Sequence, residues 1–119
     1  MAKILIVDDS GLSRRMSRSI LEGAGHDIVE AEDGAVAIER FFLEKPELVL
    51  LDMTMKGLNG LDVLKKIREI DSDALVVMAT ADIQSSTRQL TQEAGAVGFI
   101  TKPFVAGEML QAVSTALKG

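Results

Sequence analysis

The sequence predicts an α/β domain with a doubly wound, five-stranded parallel sheet in the order 2-1-3-4-5 and five helices. Three observations lead there. Short, almost purely apolar runs alternate with longer segments of helical period, as strands covered on both faces and their crossover helices would. The chain has 119 residues, enough for one compact domain spanning 1–119 and too few for two. Its acidic and polar residues collect at the carboxyl ends of the apolar runs, where open parallel sheets bind their ligands.

The first run, Lys3–Val7, meets Asp8-Asp9-Ser10, and Leu12, Met16 and Ile20 then fall on one helical face. The second run, Asp27–Ala31, opens at His26, the only histidine, which is expected to have a surface role. Ala35, Ile38 and Phe42 form the next helical stripe, with Phe42 rather than Phe41 expected in the core. The third run, 48–51, ends at Asp52, and Leu61, Leu64 and Ile67 mark the third helix. The fourth run, 75–79, leads into Thr80-Ala81. Residues 83–93 read as a fourth helix rich in serine and threonine, with few apolar anchors. Such a helix is marginally held and suits a moving element. The fifth run, 97–100, leads into Thr101-Lys102-Pro103, and Leu110, Val113 and Leu117 define the last helix.

Composition excludes several chemistries. Without cysteine there are no disulfides, thiolate metal sites or cysteine nucleophiles, which fits a reducing, cytoplasmic setting. A formal charge of −5 with scattered lysines and arginines argues against direct nucleic-acid binding. No apolar stretch has the length of a membrane span, so no membrane insertion is expected. Arg14, Arg15 and Arg18 lie off the apolar stripe of the first helix, and Lys65, Lys66 and Arg68 read as ordinary helix surface.

If the first and third strands are neighbours, Asp8, Asp9 and Asp52 converge. Two carboxylates 4 Å apart repel by roughly 4 kcal/mol at an effective dielectric of 20. Either one stays protonated or a cation sits among them. Oxygen-only donors favour a hard ion, Mg²⁺ foremost with Mn²⁺ as a substitute. Lys102 adds a point charge at the same edge and Thr80 a hydroxyl donor. The set suits phosphoryl transfer onto a carboxylate, with Asp52 attacking in line. Each residue also has a plainer reading: Asp8-Asp9 as a helix cap, Phe99 as strand packing, the arginines as a solvated face.

Asp8-Asp9, the Leu-Leu-Asp52 strand end, Thr80-Ala81 and Lys102-Pro103, in this order and spacing, resemble the response-regulator receiver (CheY-like) family. Glu32-Asp33-Gly34 and Asn59-Gly60 extend the resemblance over essentially the whole chain. It implies a flavodoxin-like fold and a two-component, chemotaxis-type phosphorelay switch. By the resemblance, Asp8, Asp9, Asp52 and the Thr54 backbone carbonyl hold Mg²⁺, and Asp52 accepts the phosphoryl group from a phosphohistidine partner. Thr80 and Lys102 contact the phosphoryl oxygens, Thr80 and Phe99 act as the switch, and the bond before Pro103 is cis. Thr54, Lys56 and Asp82 lie where phosphoryl lifetime is tuned; Lys56 stands where the family usually has proline.

The resemblance further implies a histidine kinase or histidine phosphotransfer protein upstream, docking near Arg14, Arg15 and Arg18, and a protein target downstream. Output runs through helix 4, strand 5 and helix 5, in a monomer or weak dimer. Such a domain catalyses only its own phosphorylation and dephosphorylation. The chain also fits the receiver module of a larger DNA-binding or enzymatic regulator. An aspartate-nucleophile phosphatase would usually carry a second aspartate at position 54, which is threonine here. A flavin or nucleotide binder would need a glycine-rich phosphate loop, which the sequence lacks.

Overall fold

Along an extended chain, successive side chains point to opposite faces, so an apolar run must be covered on both. The computed structural model describes residues 2–53, 55, 59–81 and 85–118. Strands β1 (Lys3–Val7), β2 (Asp27–Ala31), β3 (Leu48–Asp52), β4 (Val76–Thr80) and β5 (Gly98–Thr101) alternate with five helices. These are α1 (Gly11–Gly23), α2 (Gly34–Glu44), α3 (Gly60–Ile70), α4 (Ser85–Glu93) and α5 (Ala106–Lys118). All strand pairs are parallel and the order is β2-β1-β3-β4-β5, as expected.

Two apolar layers sandwich the sheet. Leu5, Val7, Val49, Leu51, Val76 and Met78 face Phe41 of α2 and Val63, Leu64 and Ile67 of α3. Ile4, Ile6, Leu48, Leu50 and Val77 face Leu21 of α1 and Met109, Val113 and Ala116 of α5. Side-chain oxygens cap three helices: Ser10 Oγ accepts from Ser13 N (3.2 Å), Asp33 Oδ1 from Val36 N (2.8 Å) and Asn59 Oδ1 from Asp62 N (2.9 Å). Ser10 thus takes the capping role that Asp8 or Asp9 could have filled.

Two helix faces differ from expectation. In α1, Leu12 and Met16 are 63% and 43% exposed, while Ser17 and Leu21 are buried and Ile20 is half-buried. Residues four apart drift by about 40° per step round a helix of 3.6 residues per turn. The Leu12–Met16–Ile20 stripe therefore meets the sheet only at its end. In α2, Phe41 is buried and Phe42 is 66% exposed, the reverse of the expected pair, and Ala35 is also exposed. The Asp33 cap fixes where this helix starts, and from there the inward positions are Gly34, Ala37 and Phe41, at spacings of three and four. In α3 the expected Leu64 and Ile67 are buried together with Val63. In α5 the buried residues are Met109, Val113 and Ala116, with the expected Leu110 and Leu117 half-buried beside them.

In α4, Thr91 is fully buried, its hydroxyl donating to Arg88 O at 2.8 Å, whereas Leu90 is half-exposed. Residues 83 and 84 of the expected fourth helix lie outside the described residues. His26 sits just before β2, half-buried, its Nδ1 accepting from Ala2 N at 3.2 Å. Among the described residues, no helix is long and apolar enough to cross a membrane.

Candidate functional site

Adjacent parallel strands in register bring their following residues together. Val7 of β1 pairs with Leu51 of β3, so Asp8 and Asp52 emerge side by side. They are 3% and 4% exposed, while Asp9, next along the loop, is exposed. One carboxylate oxygen from each of Asp8, Asp9 and Asp52 lies within 4.8 Å of the others.

Lys102 reaches in from the far end of the sheet. Its backbone N–H donates to Thr80 O at 2.8 Å, and the Lys102–Pro103 peptide is cis, as expected. Its Nζ lies 3.0 Å from Asp8 Oδ2 and 3.4 Å from Asp52 Oδ2, and 5.6 Å from the centre of the Phe104 ring. Burial works to lower the Lys102 pKa. The hydrogen bond to Asp8 and the charges of Asp52 and Asp8 outweigh it and hold the ammonium above its ordinary value.

Asp8 is held at each of its polar atoms. Its N–H donates to Ala31 O (3.2 Å), and its carbonyl accepts from Arg14 Nη1 (2.7 Å). Its Oδ1 accepts from Ser10 N (2.9 Å) and its Oδ2 from Lys102. Arg14 Nε in turn donates to Glu30 Oε1 on β2 at 3.1 Å, and Arg18 pairs with Glu30 Oε2. The Arg18 hydrogen bond, with that of Arg14, holds the Glu30 carboxyl below the usual carboxylate range, and Glu30 raises Arg18 in return.

The structure thus brings Asp8, Asp9, Asp52 and Lys102 together. Thr80 ends β4 beside them, buried, with its carbonyl fixing Lys102. Phe99 lies on β5, half-buried against the α2–α3 layer, with the Arg88 guanidinium 4.8 Å from its ring centre. Thr54, Lys56 and Asp82 lie outside the described residues.

Three contributors were not read from sequence as site residues in their own right. Arg14, in sequence a helix-surface or docking residue, grips the loop that carries Asp8 and Asp9. For Glu30 the sequence signal is a carboxylate set between Val29 and Ala31 within the second run. Gly60 figured only in the family pattern. A Cβ there would sit 2.4 Å from Asp52 O and 2.6 Å from Met53 Cα, so α3 starts hard against the Asp52 backbone, and Gly60 N–H donates to Met53 O at 2.9 Å.

The donor set fits a hard divalent cation. It is oxygen-only, carries three carboxylates and is open to solvent on the Asp9 side. Lys102 already offsets part of the buried negative charge, which limits how many cations the site could attract.

Comparison with known proteins agrees with this geometry. The family model described as "Response regulator receiver domain" matches residues 4–114. The chain is 41% identical to chemotaxis protein CheY of Bacillus subtilis over 97% of both chains. It is 35% identical to chemotaxis protein CheY of Thermotoga maritima over 98% of both. The structure of chemotaxis protein CheY4 of Vibrio cholerae superposes with a TM-score of 0.93 at 27% identity, covering 98% of each chain. A chain with this sheet order, this aspartate cluster and these relatives belongs to the response regulator receiver domain family of two-component signalling.

Proposed function

We propose that the 119-residue chain acts as one receiver unit, a phosphoryl-accepting switch in a phosphorelay, with Asp52 as the acceptor. The observation that carries this reading is Lys102 Nζ bridging the Asp8 and Asp52 carboxylates inside the aspartate cluster. A buried, oriented carboxylate beside a fixed cation is the arrangement that a nucleophile attacking an anionic donor requires.

Asp8, Asp9 and Asp52 would hold Mg²⁺, or Mn²⁺ in its place, with the Thr54 carbonyl completing the protein's share. When bound, the ion supplies charge neutralisation on the transferring group. Asp52 Oδ attacks phosphorus as the bond from phosphorus to the donor's imidazole nitrogen breaks, and the electron pair leaves with that nitrogen. Lys102 then leaves its contact with Asp52 for a phosphoryl oxygen, and the Thr80 hydroxyl donates to another. Phe99 turns inward as Thr80 moves, and α4 shifts with it. Thr54, Lys56 and Asp82 set how long the phosphoryl group survives. The chain turns over only its own phosphoryl group.

The donor is a histidine kinase or histidine phosphotransfer protein. A groove lined by Ser13, Met16, Ala81, Lys102, Pro103 and Phe104 runs beside the site, and Leu12 and Arg15, chain neighbours of Ser13 and Met16 in α1, are exposed. That side can accept such a partner. The output surface is α4–β5–α5, used as a monomer or a weak dimer toward a protein target. The driving force is the set of contacts made only in the phosphorylated state, which shifts a two-state population.

Hydrogen exchange tests this reading. Adding Mg²⁺ with a phosphoryl mimic is expected to change protection across residues 85–101 and 106–118 relative to Mg²⁺ alone. Unchanged exchange on that face, with the mimic bound at saturation, would overturn the switch.

A further inference from the structure

We infer that Arg14, braced by Glu30 and Arg18, is a positioning residue for the cation site and not only a piece of docking surface. The inference rests on the aspartate cluster binding Mg²⁺, as proposed above.

The Asp8 backbone sets the direction of two candidate ligands at once, because its carbonyl precedes Asp9 and its Cα carries the Asp8 side chain. On one side that residue is held by β2, through Asp8 N–H to Ala31 O at 3.2 Å. On the other side its carbonyl is held by Arg14 Nη1 at 2.7 Å, a charge-assisted bond of the stronger kind. Without Arg14, the carbonyl is free to turn toward water, and only the Asp8 side-chain bonds to Ser10 N–H and Lys102 are left to hold the start of the loop on that side.

The guanidinium is itself aimed. Its Nε donates to Glu30 Oε1, the other Glu30 oxygen is taken by Arg18, and Arg18 also pairs with Glu22 at 3.1 Å. Glu30 stands opposite Ile6 in the β1–β2 ladder, so the brace is anchored on the sheet. A planar fork with donors in two directions is needed to span Glu30 and the Asp8 carbonyl, and lysine offers only a point.

The sign of the effect separates positioning from simple charge. Arg14 is a cation near a cation site, so by Coulomb's law alone its removal would tighten Mg²⁺ binding. Positioning predicts the reverse, because outer partners that orient metal ligands typically contribute about 10–100-fold in affinity.

The experiment is calorimetric titration of metal-free protein with MgCl₂, with melting in EDTA followed by circular dichroism. The proteins are the parent, Arg14→Ala, Arg14→Lys and a distant control, Lys66→Ala. The expected result is Mg²⁺ binding about tenfold weaker in Arg14→Ala and about threefold or more weaker in Arg14→Lys, with Lys66→Ala like the parent. Equal or tighter binding by folded Arg14→Ala overturns the inference. Should that variant fail to fold, Arg14→Lys decides at constant charge: weakening supports the brace, and unchanged affinity overturns it. A parent that binds no Mg²⁺ overturns the proposed function and this inference with it.

Discussion

Replacing Gly60 with alanine tests whether close packing places the phosphoacceptor. The new Cβ would lie 2.4 Å from Asp52 O, 2.6 Å from Met53 Cα and 3.0 Å from Met53 O. All three are backbone atoms, so no rotamer change relieves the clash. Ordinary contact needs about 3.4 Å, so the start of α3 and the end of β3 must part by roughly 1 Å. Overpacking of this kind costs about 1–3 kcal/mol, against at most about 1 kcal/mol returned by alanine's better helix propensity. The net loss of about 1–2 kcal/mol corresponds to a melting point lower by roughly 4–12 °C for a domain of this size. The functional effect is expected to be larger in proportion, since a misplacement of about 1 Å at a reacting group can slow chemistry about 10²-fold. The assay pairs thermal melting by circular dichroism with the rate of phosphorylation by acetyl phosphate and Mg²⁺, followed by intact mass. A variant that melts within about 1 °C of the parent and is phosphorylated at the parent rate refutes the packing argument.

Three further outcomes follow from the same contacts. Lys102→Met removes the cation between Asp8 and Asp52; Mg²⁺ binding should tighten several-fold by calorimetry while phosphorylation slows about 10²–10³-fold. Glu30→Gln should destabilise the fold at pH 7 and cease to matter at low pH. Because the folded Glu30 pKa is depressed, its contribution is complete above the ordinary glutamate value, about 4.3, and fades as pH falls through the lower folded value. Urea unfolding of both proteins at neutral pH and near pH 3 measures this, and an equal gap at both refutes it. Ser17 is buried with no hydrogen-bond partner for its hydroxyl among the described residues, so Ser17→Ala should raise stability by about 1 kcal/mol in the same unfolding assay.

The sheet and the central site were legible because both are written in local pattern. Residues 4–7 and 48–51 are apolar throughout, and Asp8 and Asp52 follow them directly, so the strand order alone made them neighbours. Lys102 followed from the same logic at the end of β5. The faces of α1 and α2 were not legible, because a stripe such as Leu12–Met16–Ile20 does not say which edge meets the sheet. That choice depends on where Ser10 and Asp33 start each helix. Gly60 against Asp52, and Arg14 between Glu30 and Asp8, arise from chain segments that meet only once β1, β2 and β3 are assembled. Of these, Gly60 shows in the family pattern and Glu30 as a carboxylate between Val29 and Ala31.

The central claim is that Asp52 takes the phosphoryl group with the help of a cation held by its aspartate neighbours. Its most direct test is intact mass spectrometry of the parent and Asp52→Asn after incubation with acetyl phosphate, with Mg²⁺ and with EDTA. The account predicts one added phosphoryl group on the parent with Mg²⁺, none with EDTA and none on Asp52→Asn. Undiminished phosphorylation of Asp52→Asn would contradict it.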